Sequence, residues 1–396
     1  MQQPLLVQFG AGNIGRSLVG QLFSAAGWKV VFLDVADETI DALNARGCYE
    51  VTIKDRLPEG KPPIIRVDNV SGINLKNEDE AATAIAQADI VGTSVGAANL
   101  ASACRLVAKV LPVRKKPLSV LLCENLHGAA ALAKQYAADA LPHSHLAETI
   151  GFVEAAISKM VPSTPAEVRK ADPLTVWAEA YNTLYLDADA FIGTPPRIPG
   201  IAWRRPFAAY VDRKLFLHNF GHAAAAYNGF QAGKRFIWEC MEDKAVRAET
   251  EGCMMETARA LSIRHADVFT YDENKAWADD LLRRFGNKAL ADTVFRVGRD
   301  LKRKLGPDDR CIGALRLLAK NGLPHRHTAR TIAAGLRFFP EDEQGGHFPG
   351  DEEIVSAAKK HGPEQVLESL CGLNRPGDAP LVTEIAQHYR TRSGNS

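Results

Sequence analysis

Lys214, Asn219 and His222 lie within the run Asp212-Arg213-Lys214-Leu215-Phe216-Leu217-His218-Asn219-Phe220-Gly221-His222. The apolar spacing around them predicts a helix over 206–232. At ~100° per residue, Asn219 lies about 140° from Lys214 and His222 about 80°. The amine, the amide and the imidazole then share one broad face beside Leu215, Phe216 and Phe220. An ordinary solvated stripe is not set among such neighbours. These groups can oxidise a secondary alcohol if a hydride acceptor is present, because the hydroxyl proton needs a base. Lysine is a poor base near its usual pKa of ~10.4. Desolvation and a nearby positive charge both lower that value. Amide donors stabilise the forming alkoxide by ~3 kcal/mol each in well-studied sites. Taken singly, the three residues also read as a surface lysine, a helix-interior amide and a core histidine, and spacing alone leaves both readings open.

The hydride acceptor has its own signal. Gly10-Ala11-Gly12-Asn13-Ile14-Gly15 follows the apolar segment Leu5–Phe9 and opens a helical run. Strand, G-x-G-x-x-G and helix in that order predict a dinucleotide site. Gly10 permits the tight turn, Gly12 leaves room for the pyrophosphate, and Gly15 lets helix and strand pack. The N–H groups around Asn13 and Ile14 start the helix and face the phosphates. Asp34 ends the next strand at the spacing of a ribose-binding acid. Its carboxylate would accept from both ribose hydroxyls and repel a 2′-phosphate, so NAD is expected over NADP. Thr93-Ser94-Val95-Gly96 ends a later strand on the same sheet edge. By topology, Thr93, Val95 and Gly96 join the cofactor set.

These groups require a scaffold that alternates strand and helix. Leu5–Phe9, Val30–Val35, Ile90–Ser94, Val120–Cys123 and Gly151–Ile157 are apolar strand segments between helical stretches, which predicts a parallel sheet covered on both faces. Tyr49–Lys54 and Ile64–Val70 flank a Pro/Gly-rich turn and read as a small antiparallel insertion. Leu174–Ala178 is also sheet-like. The densest turn cluster, Gly193–Gly200, places a domain boundary after residue 193. Long helical patterns follow over 206–232, 236–264, 272–284, 309–320 and 351–370. The expected fold is α/β: an N-terminal Rossmann-like doubly wound sheet with insertions over 1–193, then a mainly α-helical C-terminal domain over 194–396.

Length and charge narrow the function. A chain of 396 residues suits two or three domains. With 48 basic and 47 acidic side chains there is no global field for nucleic acid or an anionic membrane. No apolar run reaches the ~20 residues that span a bilayer, and the start of the chain has no signal-peptide pattern. Seven scattered cysteines form no C-x-x-C and suggest reduced thiols. A cytoplasmic protein is expected. The close histidine pairs His143/His145 and His325/His327 have no partners at zinc-ligand spacing, so no metal is expected.

The motifs together resemble the polyol-specific long-chain dehydrogenases. Lys214, Asn219 and His222 match the family's K-x-x-x-x-N-x-x-H. Cys123-Glu124-Asn125 looks like its C-[DE]-N, Gly151-Phe152-Val153 through Val161-Pro162 like its next sheet segment, and Arg284-Phe285-Gly286-Asn287 like its R-F-x-N. The order is kept over nearly the whole chain. Phe9–Arg16, Ala42–Arg46, Arg213–Phe216, Arg296–Arg299 and Leu323-Pro324-His325 are most similar to the branch acting on mannitol 1-phosphate. The resemblance implies NAD-dependent, metal-independent hydride transfer between a sugar-alcohol phosphate and a ketose phosphate, mannitol 1-phosphate and fructose 6-phosphate. It implies Lys214 as base in oxidation and acid in reduction, Asn219 and Asn125 as donors to the reacting oxygen, and His222 as a substrate-orienting group. By analogy with its relatives the chain is expected as a monomer or weak homo-oligomer.

The substrate end departs from the pattern. The family's Asp-Arg pair after G-F-V is Ser158-Lys159 here, the proline after R-F-x-N is Lys288, and Leu184 replaces an aromatic. Ser158 and Lys159 nevertheless occupy substrate positions of the motif. Phosphate recognition is expected from the basic run Arg296, Arg299, Lys302, Arg303, Lys304 and Arg310, with Arg296 and Arg299 foremost, because an arginine fork donates two bonds to an oxyanion. An unphosphorylated polyol or a sugar acid is the competing substrate class. A non-catalytic NAD-binding sensor is the remote alternative.

Overall fold

The computed structural model describes residues 3–57, 59–61, 63–126, 128–141, 149–162 and 164–391. It divides into two compact units, Met1–Tyr210 and Val211–Ser396. His143 and His145 lie outside the described residues.

The first unit is built on β1 (Leu5–Phe9), β2 (Lys29–Asp34), β5 (Val70–Asn74), β6 (Ile90–Thr93), β7 (Leu118–Leu122) and β8 (Ile150–Ile157). They form a parallel sheet in the order β8-β7-β6-β1-β2-β5. This is the doubly wound order in which the chain reverses direction between β1 and β6. Alternate residues serve opposite faces: Leu6, Val30 and Phe32 enter one apolar cluster, and Val7, Val31 and Leu33 the other. Helices α1 (Gln21–Ala25), α2 (Asp37–Arg46), α3 (Glu78–Gln87), α4 (Ala97–Val110) and α5 (Ala129–Ala140) connect the strands. Right-handed crossovers of this kind place helices on both faces.

The small insertion forms as expected, with β3 (Cys48–Ile53) antiparallel to β4 (Ile64–Asp68). It gains β9 (Val176–Ala178), parallel to β3. The sequence reading runs β4 on to Val70, but Asn69 adopts φ 60° and breaks the strand. Val70 instead begins β5 of the main sheet. The sheet also continues past the turn cluster at 193–200. There β11 (Ile201–Arg204) pairs parallel with β10 (Leu184–Asp187), and β10 pairs antiparallel with β8. The first compact unit therefore ends later than residue 193.

Among its described residues the second unit is helical, apart from one isolated bridge between Phe236 and Thr293. Its longest described helix, Lys244–Arg264, packs against Phe220–Gln231. The pattern over 236–264 is two helices, because Asp243 caps the second by accepting from Ala245 and Val246 N–H. The pattern over 351–370 likewise divides at Gly362, with Pro363 opening the second piece. Among the described residues, no helix is long and apolar enough to cross a membrane.

Candidate active site

At the ends of β1, β2 and β6 the first unit holds a cleft of about 710 Å³. Gly10, Gly12, Asp34 and Val95 line it, with Ser94. Gly10 has φ +89°, and a Cβ there would lie 2.6 Å from the Ser94 carbonyl oxygen. A Cβ on Gly12 would meet nothing within 4 Å, so this turn is open on its outer side. A Cβ on Gly15 would lie 2.0 Å from the Gly10 carbonyl oxygen. Helix and turn can touch there only as glycine. Asn13 is exposed and Ile14 half-buried at the helix start. Gly15–Gly20 winds as a π-helical turn before α1.

The Asp34 carboxylate accepts N–H bonds from Ala11 at 2.7 Å, Val35 at 2.7 Å and Ala36 at 3.1 Å. It is thereby fixed against the glycine turn. Thr93, by contrast, is wholly buried and not on the wall of the cleft. The Val95 and Gly96 N–H groups both donate to Glu124, at 2.9 Å each. Sequence reasoning passed over Glu124, although it is the acidic member of C-[DE]-N. It clamps the β6–α4 turn, and Asn125, the next residue, is exposed.

Ser158 and Lys159 have surroundings unlike those expected of substrate ligands. Both are buried. Lys159 Nζ donates to Asn182 Oδ1 at 2.9 Å and Gln21 Oε1 at 3.4 Å. Burial pushes its ammonium down to about 8 against the pull of Glu179. The cation that replaces the family's arginine ties the end of β8 to α1.

In the second unit, Phe207–Arg213 runs into a π-helical turn, Lys214–Asn219, and then into Phe220–Gln231. The i→i+5 bonding of a π turn brings Lys214 and Asn219 closer to one face than an α-helix would. Lys214 is half-buried, and burial, with Arg310 second, pushes its ammonium down to about 8. Asn219 is half-buried and its side chain makes no hydrogen bond with the described residues. The His222 ring stacks on Phe285 with centroids 4.6 Å apart and planes 8° from parallel. Its Nε2 lies 3.7 Å from Asp292 Oδ2. Burial pushes His222 down to about 4 despite Asp292, so the ring is neutral at neutral pH. One turn after Lys214 stands His218, which the sequence reading did not select. It is buried, and burial followed by Arg284 holds it far below the usual imidazole range. Its Nδ1 has no partner among the described residues. A lone buried histidine carries no sequence signal, which is why it was missed.

The basic run divides by its partners. Arg296 Nε bonds Asp292 Oδ1 at 2.5 Å. Arg299 is exposed and sits over the rings of Phe295 and Phe348. Arg303 pairs with Asp300 and Asp309. Lys304 is buried and donates to the Val297 and Arg299 carbonyls. Arg310 is buried, with Nε on Asp309 Oδ1 at 2.7 Å. Lys302 is exposed. Among the described residues no group of three His, Cys, Asp or Glu side chains is placed to hold a metal ion.

Comparison with known proteins fits this geometry. Residues 4–200 match the model of the mannitol dehydrogenase Rossmann domain, and residues 207–391 that of the mannitol dehydrogenase C-terminal domain. In fold the chain is similar to Pseudomonas fluorescens mannitol 2-dehydrogenase, solved as a ternary complex with NAD and D-mannitol. That match has a TM-score of 0.75 at 17% identity over 100% of this chain and 92% of the other. It is also similar to a D-sorbitol dehydrogenase in substrate-free form, with a TM-score of 0.78 at 19% identity over 98% and 93%. A Rossmann unit followed by a helical unit, each matched by a mannitol dehydrogenase domain model, is a dehydrogenase architecture. The chain belongs to the mannitol dehydrogenase family.

Proposed function

We propose that this protein transfers a hydride between NAD and a sugar-alcohol phosphate, interconverting mannitol 1-phosphate and fructose 6-phosphate with Lys214 as the proton-transfer group and no metal. The observation that carries the reading is Lys214 itself: an amine lowered to about 8, on the same π turn as Asn219. A general acid–base group works best with its pKa near the working pH. The first unit fits the cofactor. Gly12 leaves its turn open, and Asp34 is held by backbone N–H groups with lone pairs to spare for hydroxyls. Bound NAD supplies the hydride acceptor. Lys214 takes the hydroxyl proton in oxidation and returns it in reduction. Asn219 donates to the oxygen as its charge grows. Neutral His222, held flat on Phe285, orients the sugar by hydrogen bonding.

The cations that act on His218 and His222, namely Arg284, Arg296, Lys304 and Arg310, support an anionic substrate. Ser158-Lys159 in place of the family's Asp-Arg pair favours the second reading, a different polyol or a sugar acid. A panel of fructose 6-phosphate, fructose and tagaturonate, each with NADH, decides between them. Fructose 6-phosphate is expected to be reduced at least 100-fold more efficiently than fructose, and dialysis against EDTA to leave the rate unchanged. Equal rates on the two would end the phosphate reading.

A further inference from the structure

We propose that Arg310 is the residue that grips the substrate's phosphate, with His218 beside it as a hydrogen-bonding partner. This rests on the reading of a phosphorylated substrate and names the group that recognises it. The argument begins with packing. Arg310 opens the helix Arg310–Lys320, which lies against the π turn Lys214–Asn219. Gly313 makes the approach possible, since a Cβ there would lie 2.6 Å from the Phe216 ring on that turn. Arg310 is close enough to act electrostatically on Lys214, His218 and His222 alike.

The Arg310 side chain is 9% exposed, and Asp309 holds its guanidinium through Nε. Among the described residues, the two terminal nitrogens have no hydrogen-bond acceptor. A fork held at its base, with no protein acceptor at its tips, can take an oxyanion through two parallel bonds. His218 makes the second, independent observation. It is 5% exposed, and Nδ1 is buried without a partner among the described residues. Apart from the exposed Lys302, the rest of the basic run is committed elsewhere. Arg296 is held by Asp292, Arg303 by Asp300 and Asp309, and Lys304 by two carbonyls. Arg299 lies over two phenylalanine rings. A phosphate dianion would satisfy the Arg310 fork with two parallel bonds and give the His218 ring an acceptor, once that ring carries its proton on Nδ1.

The test uses the full-length protein with NADH. In the wild type, the kcat/KM for fructose 6-phosphate is compared with those for fructose and tagaturonate. A preference for the phosphate supports the underlying reading; its absence defeats that reading and this inference together. Given the preference, Arg310→Gln is expected to raise the KM for fructose 6-phosphate at least 30-fold, more than it lowers kcat. The inhibition constant of inorganic phosphate, used as a competitor, should rise at least tenfold. A preference and a phosphate inhibition constant both within threefold of wild type would overturn Arg310 while leaving the reading intact. Should Arg310→Gln fail to fold, Arg310→Lys keeps the charge but loses the fork. It is expected to raise the KM 5- to 10-fold, and a KM within twofold of wild type would overturn the proposal.

Discussion

Gly15–Gly20 and Lys214–Asn219 are both π-helical turns, one in each unit, and they are made of opposite materials. The first is wholly buried, and two of its six residues are glycine. Its Gly15 touches the Gly10 carbonyl, and a Cβ on Gly20 would lie 2.5 Å from the Tyr49 hydroxyl. The second carries a lysine, a histidine and an asparagine among apolar neighbours. An inserted residue widens a helix, and π turns recur at functional sites. In the first the widened backbone serves close approach. In the second it aims side chains. Substitutions in the first turn should therefore act through binding and stability, and those in the second through rate.

The sharpest break in that contrast comes from Lys214→Ala. It should cut turnover by about 10³-fold while NADH titration shows nearly unchanged affinity. A loss below tenfold would remove Lys214 as the base. Next comes Gly15→Ala, whose Cβ has no room against the Gly10 carbonyl. It should destabilise the first unit by about 3 kcal/mol, the upper part of the usual range for overpacking, and weaken NADH binding. Calorimetry with NADH titration measures both, and normal affinity at normal Tm would refute the packing role. The third is a pH profile. Burial lowers Lys214 to about 8, and as the proposed base it acts in its neutral form in alcohol oxidation. Its kcat should rise about tenfold per pH unit below that value and level off above it. Ketone reduction needs the protonated form and should fall above the same break. A flat oxidation profile between pH 6 and 9 contradicts the assignment.

The smallest effect concerns a buried lysine of the first unit. Lys159 also sits near 8, below its usual value. Between about pH 8 and its ordinary value of ~10.4, the unfolded chain holds a proton that the folded chain has released. Stability thus rises with pH through that window, by at most ~1.4 kcal/mol per pH unit for the one group. Lys159→Met should flatten the rise in unfolding free energy between pH 8 and 10. Parallel curves for variant and wild type would show that Lys159 does not titrate there.

Much of this architecture is legible in the residue pattern, for reasons that differ from place to place. The glycine turn and Asp34 could be read because backbone approach admits so few residue types. The two-unit plan followed from strand–helix alternation giving way to long helical periods. The break at Asn69 was available in principle, since asparagine tolerates a left-handed backbone better than most residues. So were the stops at Asp243 and Gly362-Pro363, a capping residue and a turn pair. The π turns were not available: a period of ~3.6 residues was assumed, and no residue type announces an extra residue in a turn. The fates of Arg296, Arg299 and Lys159 depended on Asp292, two phenylalanines and Asn182, all set by folding rather than spacing. The same long-range packing hid His218 and the Glu124 clamp.

In the proposed function the Asp34 carboxylate has two jobs, to fasten the glycine turn and to bind ribose, and this bears on any attempt to redesign cofactor choice. The oxygen facing the glycine turn takes the Ala11 N–H, between the first two glycines. A neutral residue placed there to welcome a 2′-phosphate would also unfasten the loop that must hold the pyrophosphate. Retuning this enzyme toward NADP therefore calls for a paired change, one to admit the extra charge and another to give the Ala11 amide a new acceptor.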